Sequence, residues 1–569
     1  MSLADERPTA GLIAETVAAL EPTWLPVRAD MRVADSYHAG TWAVWDMVRF
    51  PKRPAVHPPF AKAKIDQAVN TQISLNPKVS KDPSGSRNQA AVELANQAEV
   101  GLVEVLKGAF RKEPVPSPKT FFRYLVQYGV AVIGAEWDEQ ELGTPPRKVL
   151  ETQGEYDKRA AGWEKDKPGW NPVRVRVPHP ARVLCPPYEA RPSCVIIQGR
   201  RYAGDLYDLT KRKKRYKGKV VTSYDIVGKP YELVDTVEWI SAHYHALMVK
   251  GGDVLFVDTP FYGFQSYQLL YSGWGIETAD MMGQEGPQSL ANGLLHGVWE
   301  EINNYAQTLS ALHNYMVESG YPRVTAKDAV QAAAQLANPE GIMEGEPGDF
   351  GFLQFPEVRQ AVFQDLEAIE RRLEQVTFTG AVSGEKISGV DTVGQQMMLQ
   401  TAQQRKFAVP LDQVRNAFSE LGSDILKMVD MRGVTLRVRG KELSPENIDG
   451  NYDVLVQFPQ VDPLIQQAKQ REGREEIKLG ALSIRTHQES DLLIDNTTEE
   501  RDRLLDQEID SNPAVHQHLI DQRMRARGMR EIADKLRAER EALAAQGQGQ
   551  RQDVQAPVPA PMNGQGAMP

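Results

Sequence analysis

Two pairs of histidines have the spacing that metal ligands would need. His243 and His245 alternate along a strand-like run and so share one face, and His516 and His518 form a second pair. A zinc site takes three or four protein ligands, and neither pair has a cysteine or an evident third ligand nearby. The sequence therefore predicts ordinary strand and helix histidines, with a metal site as the alternative.

Other reactive side chains lack the context that catalysis needs. The string from Ser223 to Lys229 comes nearest to a phosphate-binding loop, but it begins with Ser instead of Gly and Pro230 follows its lysine. No serine lies in a nucleophile-elbow context, and no basic neighbour activates Cys185 or Cys194. These two cysteines are predicted to be small buried apolar side chains in a reducing compartment. We therefore expect no catalytic residue, no bound metal and no cofactor.

Composition and charge narrow the class of protein further. The 569 residues, 41% of them hydrophobic, suffice for about three or four domain-sized units. No run approaches the ~20 apolar residues that span a bilayer, and the amino terminus is acidic where a secretory signal would be basic, so no membrane partner is expected. A net charge of -10 argues against a protein that coats nucleic acid tightly. The most basic run, Lys211 to Lys219, is predicted to be a solvated hairpin tip on an exterior surface, with a DNA patch as the alternative.

The elements that must position these residues begin with helices. Residues 1–50 mix proline with aromatic side chains and show little periodicity, which predicts an arm or a surface-packed lead-in. Apolar residues then recur every fourth position from Ile65 to Ile73, and further helices are predicted over 87–110 and 119–132. The amino-terminal part is therefore expected to be helical after the arm.

Between residues 140 and 270 the apolar period changes to two. Val173, Val175 and Val177 alternate with arginines, as expected of a strand. Gly251 and Gly252 suit a tight hairpin turn, because such turns need positive φ. Further strand-like runs occupy 194–197, 231–240, 241–249 and 253–257. The pattern predicts an antiparallel β unit, so the fold class is α+β, mainly helical.

The most regular pattern begins at Pro287. Apolar side chains from Leu290 to Met316 recur every three or four residues, which predicts one unbroken helix of about 32 residues, about 48 Å long. After an insert over 321–356, the stripe resumes from Val358 to Val376. We expect the two helices to pack antiparallel.

The remaining chain alternates loops and helices. Residues 378–394 are rich in glycine and predict a loop of low side-chain bulk. A helix is predicted over 393–431 with Pro410 inside it, where the missing N–H would kink the helix. A strand pair at 435–439 and 452–458 is expected next, and then charged helices. From residue 546 the composition of Gly, Gln, Pro and Ala predicts a disordered tail.

This order of elements resembles the portal proteins of tailed double-stranded DNA bacteriophages over residues 60–540. The strings KIDQAVNTQISLNPKV, YLVQYGVAVIGAEWD and SPENIDGNYDVLVQFPQVDPLIQQAKQ occur in the order expected of the family. The resemblance implies a portal-type architecture with these parts: an amino-terminal arm at 1–60, a wing of helices and antiparallel β at 61–285, stem helix one at 286–320, a small clip at 321–356, stem helix two at 357–377, a tunnel loop at 378–394, a kinked helix of the wing at 395–433, a wing-to-crown segment at 434–500, crown helices at 501–545 and the tail at 546–569.

The resemblance also implies a function and partners. Family members form a ring, taken as twelve copies, at one capsid vertex, where it is the channel for DNA packaging and ejection. Expected partners are further copies of the chain, double-stranded DNA, the large terminase ATPase, the major capsid protein, a scaffold, and head-completion adaptor or tail proteins. Expected locations are the portal vertex of the virion and, during assembly, the host cytoplasm. An acidic ring would repel phosphate and let DNA slide.

The resemblance assigns site residues as well, of three kinds. The kink is assigned to Pro410. The DNA-channel residues of the tunnel loop would be Gly380, Ser383, Gly384, Lys386, Ser388 and Gly389. The clip docking surface would be Arg323, Lys327, Glu344, Glu346 and Asp349.

Two hypotheses from other classes remain beside the portal ring. One is a helical scaffold or adaptor protein of a virion that never touches DNA. The other is an enzyme with an unrecognised active site, which the lack of a catalytic constellation disfavours. The mass of the purified assembly separates a ring from a monomer that turns over a substrate.

Overall fold

The first helix lies where an arm was predicted. A computed structural model describes residues 6–45, 54–74, 76–83, 89–138, 152, 154–155, 170–215, 229–275, 286–320, 324–326, 350–352, 358–377 and 405–458. Helix α1 spans Ala10–Ala39, and its buried Trp24 donates a hydrogen bond to the Cys185 carbonyl at 2.8 Å. Pro22 and Pro26 lie within this helix, on its exposed face. The predicted arm is therefore wrong over α1, because the inner face buries an apolar stripe.

The next helices agree with the sequence pattern except at one end. Helix α2 spans Phe60–Gln72, strand β1 Lys78–Lys81 and helix α3 Gln89–Phe110. Helix α4 covers Ser117–Tyr128 and stops before the predicted residue 132, since Gly129 takes a φ of 75° and strand β2 begins at once, over Val130–Trp137. A side chain at 129 would collide with the backbone of Asn292, so a glycine is required there.

Two antiparallel sheets follow, as the period of two predicts. The three-stranded sheet has the order β3-β2-β9, and the five-stranded sheet runs β4-β5-β6-β7-β8. A turn at Gly251, with a φ of 74°, joins β7 to β8 and confirms the predicted hairpin. The strands are β3 Val173–Arg176, β4 Val183–Leu184, β5 Cys194–Tyr202, β6 Leu233–Ser241, β7 His245–Val249, β8 Val254–Asp258 and β9 Tyr267–Tyr271.

The basic run starts in a helix and not at a hairpin tip. Helix α5 spans Ala203–Arg215 and so includes the first five residues of the run, whose remainder lies outside the described residues. Leu206 of α5 is fully buried against Leu255 and Phe256 of β8. The predicted hairpin tip is wrong because α5 uses this apolar contact to dock on the sheet.

The elements after β9 form a helical hairpin and a carboxyl-terminal group. Strand β12 pairs with β13 while β14 pairs with β1, so the predicted pairing of 435–439 with 452–458 is wrong: β1 supplies the partner from far along the chain. The elements are α6 Trp299–Gly320, β10 Val324–Ala326, β11 Phe350–Phe352, α7 Gln360–Val376, α8 Ala408–Arg432, β12 Leu436–Val438, β13 Lys441–Leu443, α9 Pro445–Ile448 and β14 Val454–Gln457.

The fold is α+β, as the alternating periods predict. Met1–Ile465 form one compact unit, so the expected three or four domain-sized units merge over this span. One core lies among α2, α3, α4, α8 and the base of the α6–α7 hairpin, and another lies between α1 and the two sheets. The predicted crown and tail belong to the second unit, Gln466–Pro569, and lie outside the described residues. Within the described residues, no helix is long and apolar enough to cross a membrane.

Candidate functional site: the helical hairpin

Helix α6 begins at Trp299, twelve residues later than the predicted start at Pro287. Residues Gly286–Ser289 form a short 3-10 turn and turns continue to Val298, so the single helix predicted from Pro287 is wrong at its start. The backbone N–H of Leu294 donates to the Val126 carbonyl at 2.7 Å, and a side chain at Gly293 would collide with the carbonyl of Gln127. Leu294 and Val298 of the stripe are buried and Leu290 is half-buried, but this stretch packs against α4 as irregular backbone and not as a helix.

Aromatic rings and the amino-terminal segment fix α6 to the body. Tyr37 at the end of α1 stacks on Trp42, packs against Trp299 and donates its hydroxyl to the Trp299 carbonyl at 3.2 Å. Further along α6, the backbone N–H of Val56 donates to Ser310 Oγ at 2.8 Å. Asn314 Nδ2 donates to the Pro54 carbonyl at 3.2 Å. Tyr37 therefore fixes the start of α6, and residues 54–56 fix its second half.

The described contacts make α6 and α7 antiparallel, as predicted. Ile302 near the start of α6 shares a core with Leu373 near the end of α7. Leu312 towards the end of α6 lines the same groove as Val358, which precedes α7. Burial, helped by the nearby Glu370 carboxylate, raises the pKa of the Tyr305 hydroxyl between the two helices. Beyond α6 and before α7, β10 and β11 pair antiparallel and close the hairpin.

Apolar side chains of the hairpin are buried at its base and exposed toward its far end. Ile302 is completely buried and Ile369 is 5% exposed, whereas Met316 is 60% and Phe363 47% exposed. Helix length alone does not require apolar side chains there, because a solvated helix face is normally polar. The distal part of the hairpin therefore presents apolar surface that this subunit does not cover.

An open groove of about 460 Å³ lies beside this exposed surface. Large exposed apolar patches on soluble proteins mark interaction surfaces. The lining residues are Trp45, Gln307, Thr308, Ala311, Leu312, Tyr315, Val358 and Val362. We call Met316, Phe363 and this groove the distal hairpin surface. Its chemistry suits the packing of another protein segment and offers no nucleophile or paired carboxylates for catalysis.

Helix α8, which follows the predicted tunnel loop, is anchored at both ends. At its start, Trp274 Nε1 donates to the Lys406 carbonyl at 3.0 Å. Further along, Arg191 from the loop before β5 bonds the buried Asp424 at 3.0 Å and Glu420 at 2.9 Å. Helix α8 begins directly after the 3-10 turn Arg405–Phe407, and Pro410 is its third residue. An interior position for Pro410 is therefore wrong, since a first-turn proline removes no helical hydrogen bond.

The other predicted site residues lie outside the described residues. These are the DNA-channel residues Gly380, Ser383, Gly384, Lys386, Ser388 and Gly389, and the clip docking residues Arg323, Lys327, Glu344, Glu346 and Asp349. His516 and His518 are also outside. The structure thus brings together α6, α7 and the strands between them, but it does not test the predicted tunnel loop or docking surface.

The first histidine pair does not share a strand face, because His243 lies in the bend before β7 and only His245 is on the strand. His245 belongs to an ionic cluster. His245 Nε2 lies 2.7 Å from Glu238 Oε1. Arg176 Nη1 donates to Glu136 at 2.8 Å and to Glu238 at 3.0 Å, and Arg201 donates to Glu238 at 3.2 Å. These groups come from five strands of the two larger sheets, and we call them the sheet junction. Within the described residues, no group of three or more His, Cys, Asp or Glu side chains is arranged to hold a metal ion.

Ionisation of the junction carboxylates is set by their neighbours. Burial alone would raise the pKa of Glu238, but Arg176 and the hydrogen bond from His245 outweigh it and hold that pKa well below its usual range. Burial likewise opposes ionisation of Glu136, whose pKa is nevertheless lowered, chiefly by Arg176. The tyrosine hydroxyl of Tyr267 also donates to Glu136. Every carboxylate here has a partner, so the junction joins two sheets and is not arranged as an acid–base pair.

Both cysteines are buried and free, as the sequence predicts. Burial raises the pKa of the Cys185 thiol well above its usual range and that of Cys194 to about 12. Thiols in this state are inert as nucleophiles. The sequence analysis did not identify the sheet junction or Phe363. The sequence does contain a signal for Phe363, because it is a large apolar residue at a position outside the apolar stripe of α7.

Comparison with known proteins finds similarity to solved structures but to no family model. No protein family model matches the chain, and no curated protein matches it. A solved structure described as the neck of an empty GTA particle computed with C6 symmetry is similar over 76% of this chain and 89% of its own, with 9% sequence identity and a TM-score of 0.33. A likeness at this level does not establish a family, and the functional conclusion rests on the hairpin itself.

Proposed function

We propose that this protein is the portal subunit of a tailed phage, which forms a ring around a DNA channel at one capsid vertex. The observation that carries the proposal is the distal hairpin surface: two antiparallel helices leave the core with an apolar stripe that one subunit does not cover. The chain order around this hairpin, from the wing-like β unit to the glycine-rich loop before α8, is the order of the portal family.

A ring follows from a contact between unlike surfaces. A heterologous contact repeated by rotation gives a closed ring when the rotation divides the circle. In the proposed ring, exposed Met316 and Phe363 of one copy pack against the groove of the next copy. The number of copies, twelve, comes from the family resemblance. Burial of these side chains between copies supplies the apolar contact that the isolated hairpin lacks.

The remaining parts of the function rest on the resemblance alone. In the proposed ring the segment from Gly380 to Gly389 lines the bore, where small side chains leave room for a duplex and Lys386 meets phosphates transiently. The segment 321–356 docks the large terminase ATPase during packaging and then head-completion adaptor or tail proteins. The major capsid protein and scaffold contact the ring from outside. ATP hydrolysis belongs to the terminase, since this chain has no phosphate-binding loop.

The mass of the purified full-length protein tests the ring. We expect a single assembly close to twelve subunits, with an axial opening wide enough for a duplex in images taken down the symmetry axis. A stable monomer, or an assembly without an axial opening, contradicts the proposal. An assembly of this size that forms normal particles without contacting DNA favours the scaffold or adaptor hypothesis.

A pair of substitutions tests the surface itself. Phe363→Asp places a charge on the distal hairpin surface, and we expect it to yield folded subunits that no longer assemble. Tyr231→Asp is the matched control, since Tyr231 is 85% exposed just before β6 and away from the hairpin. Circular dichroism checks that both variants fold. Normal rings from Phe363→Asp would remove the hairpin contact from the proposal.

Deletion of Gly380 to Gly389 tests the channel. We expect rings of normal mass and particles that package or retain less DNA, because the deleted segment no longer meets the duplex. Unchanged packaging and retention in assembled particles argue against a channel role for this segment.

A further inference from the structure

A basic patch stands out on a chain whose net charge is negative. It lies where the carboxyl-terminal end of α3, strand β3 and the β12–β13 hairpin meet, and its basic side chains are Lys107, Arg111, Lys112, Arg174, Arg437, Arg439 and Lys441. Three carboxylates come from the same segments: Glu104, Glu113 and Glu442. Asp138 follows β2 at the margin, beside Pro172. Positive charge therefore predominates locally although the whole chain carries -10.

Close backbone packing holds the patch together. A side chain at Gly101 would collide with the Glu442 carbonyl, so the β12–β13 hairpin lies directly on α3. At Gly108 the α3 backbone is approached by Asn171 and by Val438, which places β12 and the residue just before β3 against the same side of the helix. The basic side chains therefore belong to one continuous surface fixed by a rigid scaffold.

The three carboxylates of the patch are fewer than its basic side chains, so they do not neutralise it. Glu113 pairs with Arg174 at 3.1 Å. Glu104 lies 3.5 Å from Lys107 and 3.8 Å from Arg439, which means that one carboxylate serves two cations. Arg437 pairs with Glu442 across the hairpin at 2.8 Å, and both side chains are about half exposed. Cations at a helix carboxyl terminus also favour the helix dipole, but the hairpin residues do not belong to that helix.

Backbone strain at the hairpin tip points to a role for one of these side chains. Arg439 and Gly440 form the two-residue turn between β12 and β13, with φ values of 51° and 79°. Positive φ at both central positions defines a type I′ turn, in which Asn, Asp or Gly normally fills the first position. An arginine there carries a steric cost, and its side chain remains 54% exposed. A strained residue with a solvent-facing charge is a candidate for function.

We infer that this basic patch binds the phosphate backbone of double-stranded DNA without reading its sequence, as a second DNA contact outside the proposed channel. Several exposed Lys and Arg side chains on a rigid surface, without aromatic residues for stacking on bases, match backbone binding to a duplex. The inference goes beyond the proposed ring, because the patch lies on each subunit and its binding does not depend on threading through a bore.

Relaxed closed-circular duplex DNA is the probe, because it has no end to thread through a ring. The full-length protein is titrated with it at several salt concentrations. We expect binding that weakens linearly with the logarithm of salt concentration, and Arg439→Asn to bind more weakly, with a slope less steep by about 1. Asn suits the type I′ turn, so the thermal midpoint should stay equal or rise. A binding loss without a stability loss separates the function of Arg439 from its place in the fold.

Three comparisons make the test decisive. Arg439→Lys keeps the charge and should keep most of the binding. Arg200→Gln is the matched control, since Arg200 is 68% exposed and pairs with one carboxylate, Asp235, outside the patch, and its binding should equal that of the unchanged protein. Vesicles containing phosphatidylglycerol supply the other anionic surface. Unaltered DNA binding in Arg439→Asn overturns the inference, as does a loss confined to vesicles, while the ring itself is judged separately by mass.

Discussion

The sheet junction and the distal hairpin surface differ in whether their side chains find partners within one subunit. At the junction, carboxylate, guanidinium and imidazole groups from five strands are largely withdrawn from solvent, and every one has a partner within the chain. On the hairpin, Met316 and Phe363 are apolar and stand in solvent. Buried charges are unfavourable unless they are paired, and apolar side chains are unfavourable in water unless another surface covers them.

The two regions differ in whether one subunit supplies all the contacts that the region needs. The junction already contains the groups that compensate its charges, so its role is to hold two sheets together. The distal hairpin surface lacks its compensation, so its role is fulfilled only in contact with another protein surface. Substitutions should therefore separate the regions: changes at the junction should reduce subunit stability, and changes on the distal surface should reduce assembly.

The largest effect is expected from Arg176→Met at the junction. Removal of the guanidinium leaves Glu136 and Glu238 buried without their main counter-ion, which should cost about 3–5 kcal/mol of the free energy of unfolding. Denaturant titration of the unassembled subunit measures the loss. Arg200→Met is the control, because its exposed pair with Asp235 should contribute under about 1 kcal/mol. Similar losses in both variants would contradict the special position of the junction.

A smaller loss is expected from Leu373→Ala at the base of the hairpin. Leu373 is 1% exposed, and its truncation leaves a cavity that should cost about 2–3 kcal/mol. Val376→Ala, three residues on and half exposed, should change the unfolding free energy by under about 0.5 kcal/mol. Equal effects would mean that the base is not the anchored part of the hairpin.

Acid should weaken the junction before it affects the hairpin contact. Folding lowers the pKa values of Glu136 and Glu238 from the ordinary 4.5, so the unfolded chain binds more protons in acid and the stabilisation present above that value is lost as the pH falls through the lowered pKa values. Unfolding free energy measured from pH 6 to pH 3 should fall, and Arg176→Met should flatten the fall. A pH profile unchanged by the substitution would contradict the assignment of the lowered pKa values to Arg176.

The smallest effect on stability is expected on the distal hairpin surface. Phe363→Ala should change the unfolding free energy of the unassembled subunit by under about 0.5 kcal/mol, because the side chain is half exposed and leaves no cavity. The same variant should assemble less well, as measured by the fraction of protein at ring mass. A large loss of subunit stability would show that Phe363 is part of the core of one chain and not of a contact between chains.

Local patterns predicted much of the fold correctly. The stripe from Val362 to Leu373 gave the less exposed face of α7, and Gly251 with Gly252 gave the β7–β8 turn, because each depends only on residues close in the chain. Predictions failed where a distant segment decides. Strand β14 pairs with β1, more than 370 residues away, and no local signal indicates that partner. The assigned tunnel-loop and clip residues stay predictions.

By itself, the sequence determined the alternation of helical and strand periods, the antiparallel helix pair and the inert cysteines, since periodicity and composition act over short distances. Only the tertiary structure decided that Leu290 to Val298 form turns against α4, that Pro22 and Pro26 lie on the outside of a packed helix, and that Arg176 is buried in an ionic cluster. The physical reason is that burial depends on which surfaces meet. A stripe of apolar residues indicates that a surface must be buried, but only the folded chain shows which other surface covers it.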